Sequence, residues 1–262
     1  MENRTRKLAT LAITALLCVP AVAAVPKDQA KPRALGLKAT TAPEFKETKE
    51  ALTLPLEMRI EALRAQGPQG YRNLVMLMLD DTSGVEARWR AVTAIALIGQ
   101  KNAKPEIETA LKSREWYLRN AGLVAMSNVD RDSAIKWGRK LLGDKALVVR
   151  AAAVAALADL GDAGSVPLLW EKLRAKENYK GKQSLFIRRH IVESLARLEK
   201  HGGEPKFIAV LADPDTSLHA PAIEALERLT EQKLGDAKDP VAFKKEHWQK
   251  WWQRSASEKM AN

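Results

Sequence analysis

The sequence predicts an all-α fold, an α-solenoid of about five to six short helical repeats. Three observations support this prediction. One pattern of apolar residues recurs along the chain, mostly at intervals of 31 residues. Within each copy these residues lie three or four positions apart, which places them on one face of an α-helix. Glycine and proline residues separate the helical stretches, and no stretch shows the alternation and turn signals of a β-hairpin.

Each repeat is defined by the residue that opens its second helix. Apolar residues follow this opening residue at four, seven and ten positions, as Val154, Leu157 and Leu160 follow Arg150. The step between the third and fourth copies is 38 residues, so one unit carries an insertion of seven residues. The opening residues are Arg88, Arg119, Arg150, Arg188 and His219.

Residues 1–24 have the organisation of an export signal peptide. Three basic residues precede an apolar run that ends in small residues, and we expect cleavage after Ala23 or Ala24. A membrane-spanning helix is an alternative, but Pro20 interrupts an apolar run of only about 17 residues. A lipid anchor at Cys18 is a second alternative, although no small residue directly precedes that cysteine. We therefore expect a periplasmic or secreted protein whose mature chain has no transmembrane segment.

Residues 25–53 are rich in Lys, Pro, Thr and Ala and lack apolar periodicity. Such a segment cannot bury enough apolar surface to offset the entropy lost on ordering, which predicts a disordered tether. The repeats then occupy residues 54–235, and a C-terminal capping helix and tail occupy residues 236–262. Three tryptophans on one face of this helix predict that it covers the end of the apolar stack, with attachment to a membrane surface as the alternative. These tryptophans are Trp248, Trp251 and Trp252.

The third unit resembles the short HEAT-like repeat of bacterial proteins, a type also found in phycobilin lyases. The resemblance is carried by the run LVVRAAAVAALADLGDA from Leu147 to Ala163 and by the VPLL that follows it. It extends over roughly residues 56–229 and implies a right-handed α-solenoid that serves as a binding scaffold. It also implies that each opening residue bonds to an acidic or hydroxyl side chain in the preceding turn. The side chains six positions before four of the opening residues are Thr82, Ser113, Asp144 and Asp213, whereas Lys182 breaks the pattern before Arg188.

The second helix of each unit is expected to line the inner surface of the solenoid. Positions one, five and eight after the opening residue are expected to point away from the core. In the first three copies these positions hold nine residues, and none of them is charged. Surface helices normally carry charges opposite their buried face, so an uncharged patch indicates a covered one. We predict a groove for a partner helix or extended peptide; an Ala-rich, tightly curved inner face without a partner is the alternative. The candidate residues are Trp89, Thr93, Asn120, Val124, Ser127, Ala151 and Ala155.

The seven-residue insertion lies in a strongly basic segment. Residues 174–189 contain six basic residues and one acidic residue. A dense positive charge attracts polyanions, so this segment is a candidate for contact with anionic lipid head groups or an acidic partner. A simple solvated loop is the alternative. The candidate anion-binding residues are Lys176, Lys180, Lys182 and Arg189.

We expect a non-catalytic protein with no metal or other cofactor. The four histidines are scattered and form no His-x-x-x-His pair, and the sequence has no phosphate-cradling loop and no Gly-x-Ser-x-Gly motif. The expected function is an exported scaffold or adaptor that binds a protein partner. Alternatives are a lyase or chaperone-like subunit acting on a bound chromophore or protein, and a basic solenoid that binds a polyanion. The formal net charge of +11 favours the last, although export argues against a nucleic acid.

Overall fold

The structure is a computed structural model that describes residues 43–261, with side chains from Phe45 to Ser255. The predicted signal peptide and most of the predicted tether lie outside the described residues. Within residues 43–261 the regular secondary structure is helical apart from one two-stranded hairpin. It divides into two compact units, with the boundary between Arg131 and Asp132.

The first compact unit contains a short N-terminal helix pair followed by two repeats. Its second helices, α4 and α6, begin three residues before the opening residues Arg88 and Arg119. Helix α3 packs on α4, α5 packs on α6, and α4 packs on α6. The helices are α1 (Pro43–Ala51), α2 (Leu56–Ala65), α3 (Gly67–Leu79), α4 (Val85–Gly99), α5 (Lys104–Leu111) and α6 (Trp116–Val129).

The second compact unit contains the remaining repeats and the C-terminal helix. Helix α9 packs on α10, α11 packs on α12, and the second helices α8, α10 and α12 pack in sequence. The helices are α7 (Arg131–Leu141), α8 (Leu147–Asp159), α9 (Val166–Leu173), α10 (Ile187–Leu198), α11 (Glu204–Val210), α12 (His219–Thr230) and α13 (Val241–Ala261). The hairpin strands are β1 (Tyr179–Lys180) and β2 (Gln183–Ser184).

The apolar pattern of the sequence forms the core of each unit. The residues four and seven positions after every opening residue are buried, for example Val92 and Ile95 on α4 and Leu123 and Met126 on α6. Small residues let neighbouring helices approach: a Cβ added at Gly122 would lie 2.9 Å from Leu111 Cγ. This arrangement confirms the predicted all-α solenoid fold.

The N-terminal boundary of the fold differs from the prediction. The tether was predicted to reach residue 53, but residues 43–51 form α1, which packs on α2 and α3. Phe45, Thr48 and Leu52 are buried, and the Thr48 hydroxyl donates to Gln66 Oε1 at 2.6 Å. These three residues share one helix face, because they are spaced three and four positions apart. The residues between them are mostly lysine and glutamate, so the composition of the segment did not indicate a helix with an apolar face.

The C-terminal helix covers the last repeat as predicted. Helix α13 packs against α11 and α12. Trp248 is fully buried, whereas Trp251 and Trp252 are half-buried. The rings of Trp248 and Trp251 meet edge to face with their centroids 5.2 Å apart. The aromatic stripe therefore closes the apolar stack at this end.

Replacement of Phe45 by Ala tests whether α1 belongs to the folded body. We expect the change to lower the free energy of unfolding by about 3 kcal/mol, because it removes a buried ring and leaves a cavity. Replacement of the exposed Glu47 on the same helix is the matched control and should change stability by less than about 0.5 kcal/mol. Urea unfolding of both variants measures the difference, and equal midpoints would show that α1 adds nothing to the fold.

Candidate partner-binding surfaces

The opening arginines are structural, but their acceptors are not the side chains that the sequence suggested. Arg119 donates from Nη1 to the main-chain oxygens of Ser113 and Arg114, at 3.0 and 2.8 Å. Arg150 donates to the main-chain oxygen of Asp144 at 2.9 Å, and His219 Nε2 lies 2.9 Å from the main-chain oxygen of Asp213. The expected bond to an acidic or hydroxyl side chain is therefore wrong for these residues.

The side chains six positions earlier shape the turn instead. Ser113 Oγ accepts the main-chain N–H two residues later at 3.1 Å, Asp144 Oδ1 does the same at 2.8 Å, and Asp213 Oδ1 at 2.9 Å. These short turns are a common use of Ser and Asp side chains before a helix. For Arg119, Arg150 and His219 the sequence pattern found the correct residues, but the opening residue bonds to their main chain. Arg88 bonds instead to the Met78 oxygen, and the predicted Thr82 hydroxyl donates to Asp80.

Arg188 bonds to a carboxylate of the next repeat. Its side chain is 2% exposed and donates from Nη2 to Asp213 Oδ2 at 2.5 Å. It also donates to the main-chain oxygen of Leu173 and to Ser184 Oγ. Burial by itself raises the pKa of Asp213, but the hydrogen bonds from Arg188 and from the Asp215 N–H outweigh it and lower that pKa.

The insertion is docked on the repeats rather than being a free loop. Asn178 is 1% exposed; its Oδ1 accepts from Arg150 Nε at 2.9 Å, and its Nδ2 donates to the Lys172 oxygen at 2.8 Å. Arg150 Nη2 donates to the Glu177 oxygen at 2.7 Å. The ring of Tyr179 lies 4.5 Å from the Arg188 guanidinium carbon. Two opening residues thus hold the base of the hairpin.

The four candidate anion-binding residues do not have equal surroundings. Lys176, in the single-turn 3-10 helix before the hairpin, and Lys180 and Lys182, on the hairpin, are exposed, and no described residue forms an ion pair with them. Arg189 instead pairs with Glu193 on the same helix at 2.8 Å. Of the four candidates, the three lysines therefore carry a positive charge that no ion pair among the described residues neutralises.

The predicted groove residues of the first compact unit form an uncharged stripe on α4 and α6. Trp89, Thr93, Asn120, Val124 and Ser127 are all half-buried. Four positions before Trp89 and Asn120, near the start of each helix, two further apolar side chains lie on the same face. They are more exposed than the five residues above. These are Val85, 54% exposed, and Trp116, 42% exposed. We call these seven residues the uncharged stripe.

Polar groups on the uncharged stripe are turned toward their own helix. The Thr93 hydroxyl donates to the Arg90 oxygen, and the Ser127 hydroxyl donates to the Leu123 oxygen. Asn120 Oδ1 is buried and accepts no hydrogen bond from the described residues. The stripe therefore presents mainly carbon, with one amide near its middle.

In the second compact unit, the equivalent positions on α8 are uncharged, whereas those on the following second helices include charged residues. Ala151 is half-buried and Ala155 is exposed, but the eighth position, Ala158, is buried, as is its equivalent Ala96 on α4. The uncharged face is therefore narrower than predicted.

On the following helices, arginines nine positions after the opening residues bond to the preceding second helix. Arg197 pairs with Asp159 at 3.0 Å, and Arg228 Nε donates to the Ala196 oxygen at 2.9 Å.

Comparison with known proteins identifies the repeats. The family model for HEAT repeats matches residues 107–186. These residues are HEAT-like repeats. A comparison with curated proteins gives no match. Among the residues that the structure describes, no helix is long and apolar enough to cross a membrane, and no group of three acidic, histidine or cysteine side chains is placed to hold a metal ion.

Two solved structures are similar over most of the chain. One is the crystal structure of an engineered protein from the Northeast Structural Genomics Consortium, with 20% identity, a TM-score of 0.42, and coverage of 71% of this chain and 89% of that chain. The other is the complex of CpcE and CpcF of phycocyanin lyase from Nostoc sp. PCC7120, with 15% identity, a TM-score of 0.40, and coverage of 88% and 99%. Because both TM-scores are below 0.5, the fold assignment rests on the helix packing and the family match.

Replacement of Asp213 by Asn tests the ion pair between repeats. At pH 7 we expect the free energy of unfolding to fall by about 3 kcal/mol, because Arg188 then stays buried with only the more distant carboxylate of Asp215, 3.9 Å away. The folded-state pKa of Asp213 lies below its ordinary value of 3.8. The advantage of the native protein is therefore complete above pH 3.8 and is lost as the pH falls through the folded-state pKa.

Urea unfolding at pH 7 and at steps down to pH 2 measures this dependence. The exposed Asp132 replaced by Asn is the control and should follow the native protein at every pH. A stability difference for the Asp213 variant that stays constant down to pH 2 would contradict the assignment.

Proposed function

We propose that this protein is a non-catalytic, exported HEAT-repeat scaffold that binds a protein partner through the uncharged stripe. The observation that carries the proposal is the stripe itself, seven uncharged residues at equivalent positions of two packed helices. Val85 and Trp116 expose 54% and 42% of their surface, respectively. Solvent-facing helix positions normally carry charged side chains, so this stretch is suited to burial against another molecule.

The chemistry of the stripe favours a helix or an extended peptide with apolar side chains. Trp89 and Trp116 supply the kind of large, rigid contact that dominates binding at protein interfaces. The hydroxyls of Thr93 and Ser127 already bond within their helices, so they do not need a polar partner. Asn120 is the residue of the stripe able to give polar selectivity. Ala151 and Ala155 on α8 of the second compact unit are uncharged residues in the same register.

Export is supported by the sequence of residues 1–24, which has the three-part organisation of a signal peptide. The cleaved chain would contain no cysteine, which suits an oxidising compartment such as the periplasm. The scaffold role is proposed over an enzymatic one because the sequence has no motif for nucleophilic, phosphoryl-transfer or zinc chemistry. HEAT repeats in residues 107–186 are consistent with a protein-interaction role.

A photocrosslinker at Val124 tests the stripe. We expect a partner from extracts of the native cells to be captured there and not by the same probe at Glu227 on α12. Val85→Arg should reduce capture at least tenfold, because it introduces an unpaired charge into an apolar interface. Met58→Arg is the matched control, since Met58 is 56% exposed on α2 and outside the stripe. Equal capture at Val124 and Glu227, or an equal loss in both arginine variants, would reject the proposed surface.

The docked hairpin favours a second function, contact with an anionic membrane surface. Three exposed lysines without described ion-pair partners project from a base that Arg150 and Arg188 hold in place. A fixed cluster of this kind concentrates positive charge where a flexible loop would spread it. Near an anionic surface each lysine contributes about 1 kcal/mol of attraction.

Replacement of Lys176, Lys180 and Lys182 by Gln tests this second function. Affinity for phosphatidylglycerol vesicles at low salt should fall on the order of 100-fold, and the dependence on salt should weaken with it. Lys200, Lys233 and Lys238 replaced by Gln form the control, with the same loss of charge at exposed positions elsewhere. Vesicle co-sedimentation measures both, and an equal decrease in the control would show that only net charge matters.

A further inference from the structure

A pocket of about 340 Å³ lies in the first compact unit, next to the opening residue of its first repeat. Its walls include Met78 and Leu79 of α3, Arg88 of α4, Ala110 of α5 and Leu118 of α6. Thr109, Lys112 and Ser113 also line it, so half of the lining is apolar and half is polar or basic. The pocket shares no lining residue with the uncharged stripe, so it is a separate site.

Arg88 is only 7% exposed and donates to two acceptors among the described residues. Its Nε donates to the Met78 oxygen at 3.0 Å, and its Nη1 donates to the Tyr117 hydroxyl at 2.8 Å. None of the described residues accepts a hydrogen bond from its Nη2. A guanidinium carries five N–H donors and stays charged, so Arg88 can bind a further oxygen from the pocket side.

The second compact unit shows what an opening residue binds at the equivalent place. There the insertion of this chain fills the space beside Arg150. Asn178 Oδ1 accepts from Arg150, and Asn178 Nδ2 donates to the main-chain oxygen of Lys172 in the last turn of α9. By repeat register, Lys172 on α9 corresponds to Ala110 on α5. One buried amide thus joins the arginine to the end of the first helix that follows.

The main-chain oxygens of Ala110 and Lys172 accept the same kind of hydrogen bond at the end of their helices. Each accepts an N–H from the turn that follows its helix, from Ser113 at 3.1 Å and from Ala175 at 3.2 Å. In the second unit the Asn178 amide then uses the remaining acceptor capacity of the Lys172 oxygen. The pocket therefore has a donor in Arg88 and an acceptor in the Ala110 oxygen, the pair that a side-chain amide satisfies.

We propose that the Arg88 pocket binds an Asn-bearing turn of a partner protein. The partner's Asn accepts from Arg88 Nη2, because Arg88 Nε already donates to the Met78 oxygen, and it donates to the Ala110 oxygen as Asn178 donates to the Lys172 oxygen. An apolar side chain beside the Asn packs on Met78, Leu79 and Leu118. Leu79 is 47% exposed, so a ligand in the pocket also covers apolar surface that faces water. The site is independent of the stripe and does not depend on the proposed function.

A peptide with the sequence of residues 175–185, closed by a disulfide between two added terminal cysteines, is the probe for this site. The full protein is labelled with ¹³C in its methionine methyl groups. We expect the Met78 methyl signal to shift and to saturate with peptide, while that of Met58 on α2 stays constant. The same peptide with Leu in place of its Asn should bind at least about tenfold more weakly, because it leaves Arg88 and the Ala110 oxygen unbridged.

A pair of protein variants separates the pocket from non-specific binding. Leu79→Asp places a carboxylate beside Arg88 and should reduce peptide affinity at least about tenfold, whereas Met58→Asp, the same change at another exposed apolar site, should leave it unchanged. Three results would overturn the proposal: an unmoved Met78 signal at millimolar peptide, equal binding of the Asn and Leu peptides, or equal affinities in the two protein variants. Crosslinking at the stripe is measured separately, so its outcome does not alter this test.

Discussion

Buried guanidinium groups at the openings of the second helices impose the main constraint on this fold. Arg88, Arg119, Arg150 and Arg188 are each at least nine-tenths buried. A buried charge is costly unless hydrogen bonds and opposite charges compensate it. Each repeat must therefore bring main-chain oxygens, hydroxyls or carboxylates to one place. The shape of the turns between first and second helices follows from this need.

Different repeats meet this constraint with different groups. Tyr117 supplies a hydroxyl to Arg88, the insertion supplies an amide and a main-chain oxygen to Arg150, and Asp213 supplies a carboxylate to Arg188. These groups decide what the surface near each opening residue looks like. A pocket remains beside Arg88, a basic hairpin is anchored beside Arg150, and a buried ion pair joins two repeats at Arg188. The same buried arginine at the start of a second helix is thus found beside a pocket, a basic hairpin and an ion pair in three different repeats.

The sequence was sufficient for the fold because the apolar pattern acts locally, within one helix and its neighbour. It also placed Trp89, Thr93, Asn120, Val124 and Ser127 on a partly accessible face, since register alone determines which side chains point away from the core. It failed where contacts are distant or use the main chain. Asn178 bonds to an arginine 28 residues earlier, and no periodicity announces that contact. The acceptors of the opening arginines are mostly carbonyl groups, which every residue type possesses.

The docked insertion restricts how this repeat array can evolve. Loss of the seven extra residues would restore the regular 31-residue spacing, yet it would also remove the acceptors that Glu177 and Asn178 give to Arg150. In the first compact unit, the hydroxyl of Tyr117 bonds to the equivalent arginine, and Phe186 holds the corresponding place after the insertion. A related protein without the seven residues would need a hydroxyl at position 186, such as that of tyrosine, to bond to Arg150. The insertion and the aromatic residue at position 186 are therefore expected to change together across lineages.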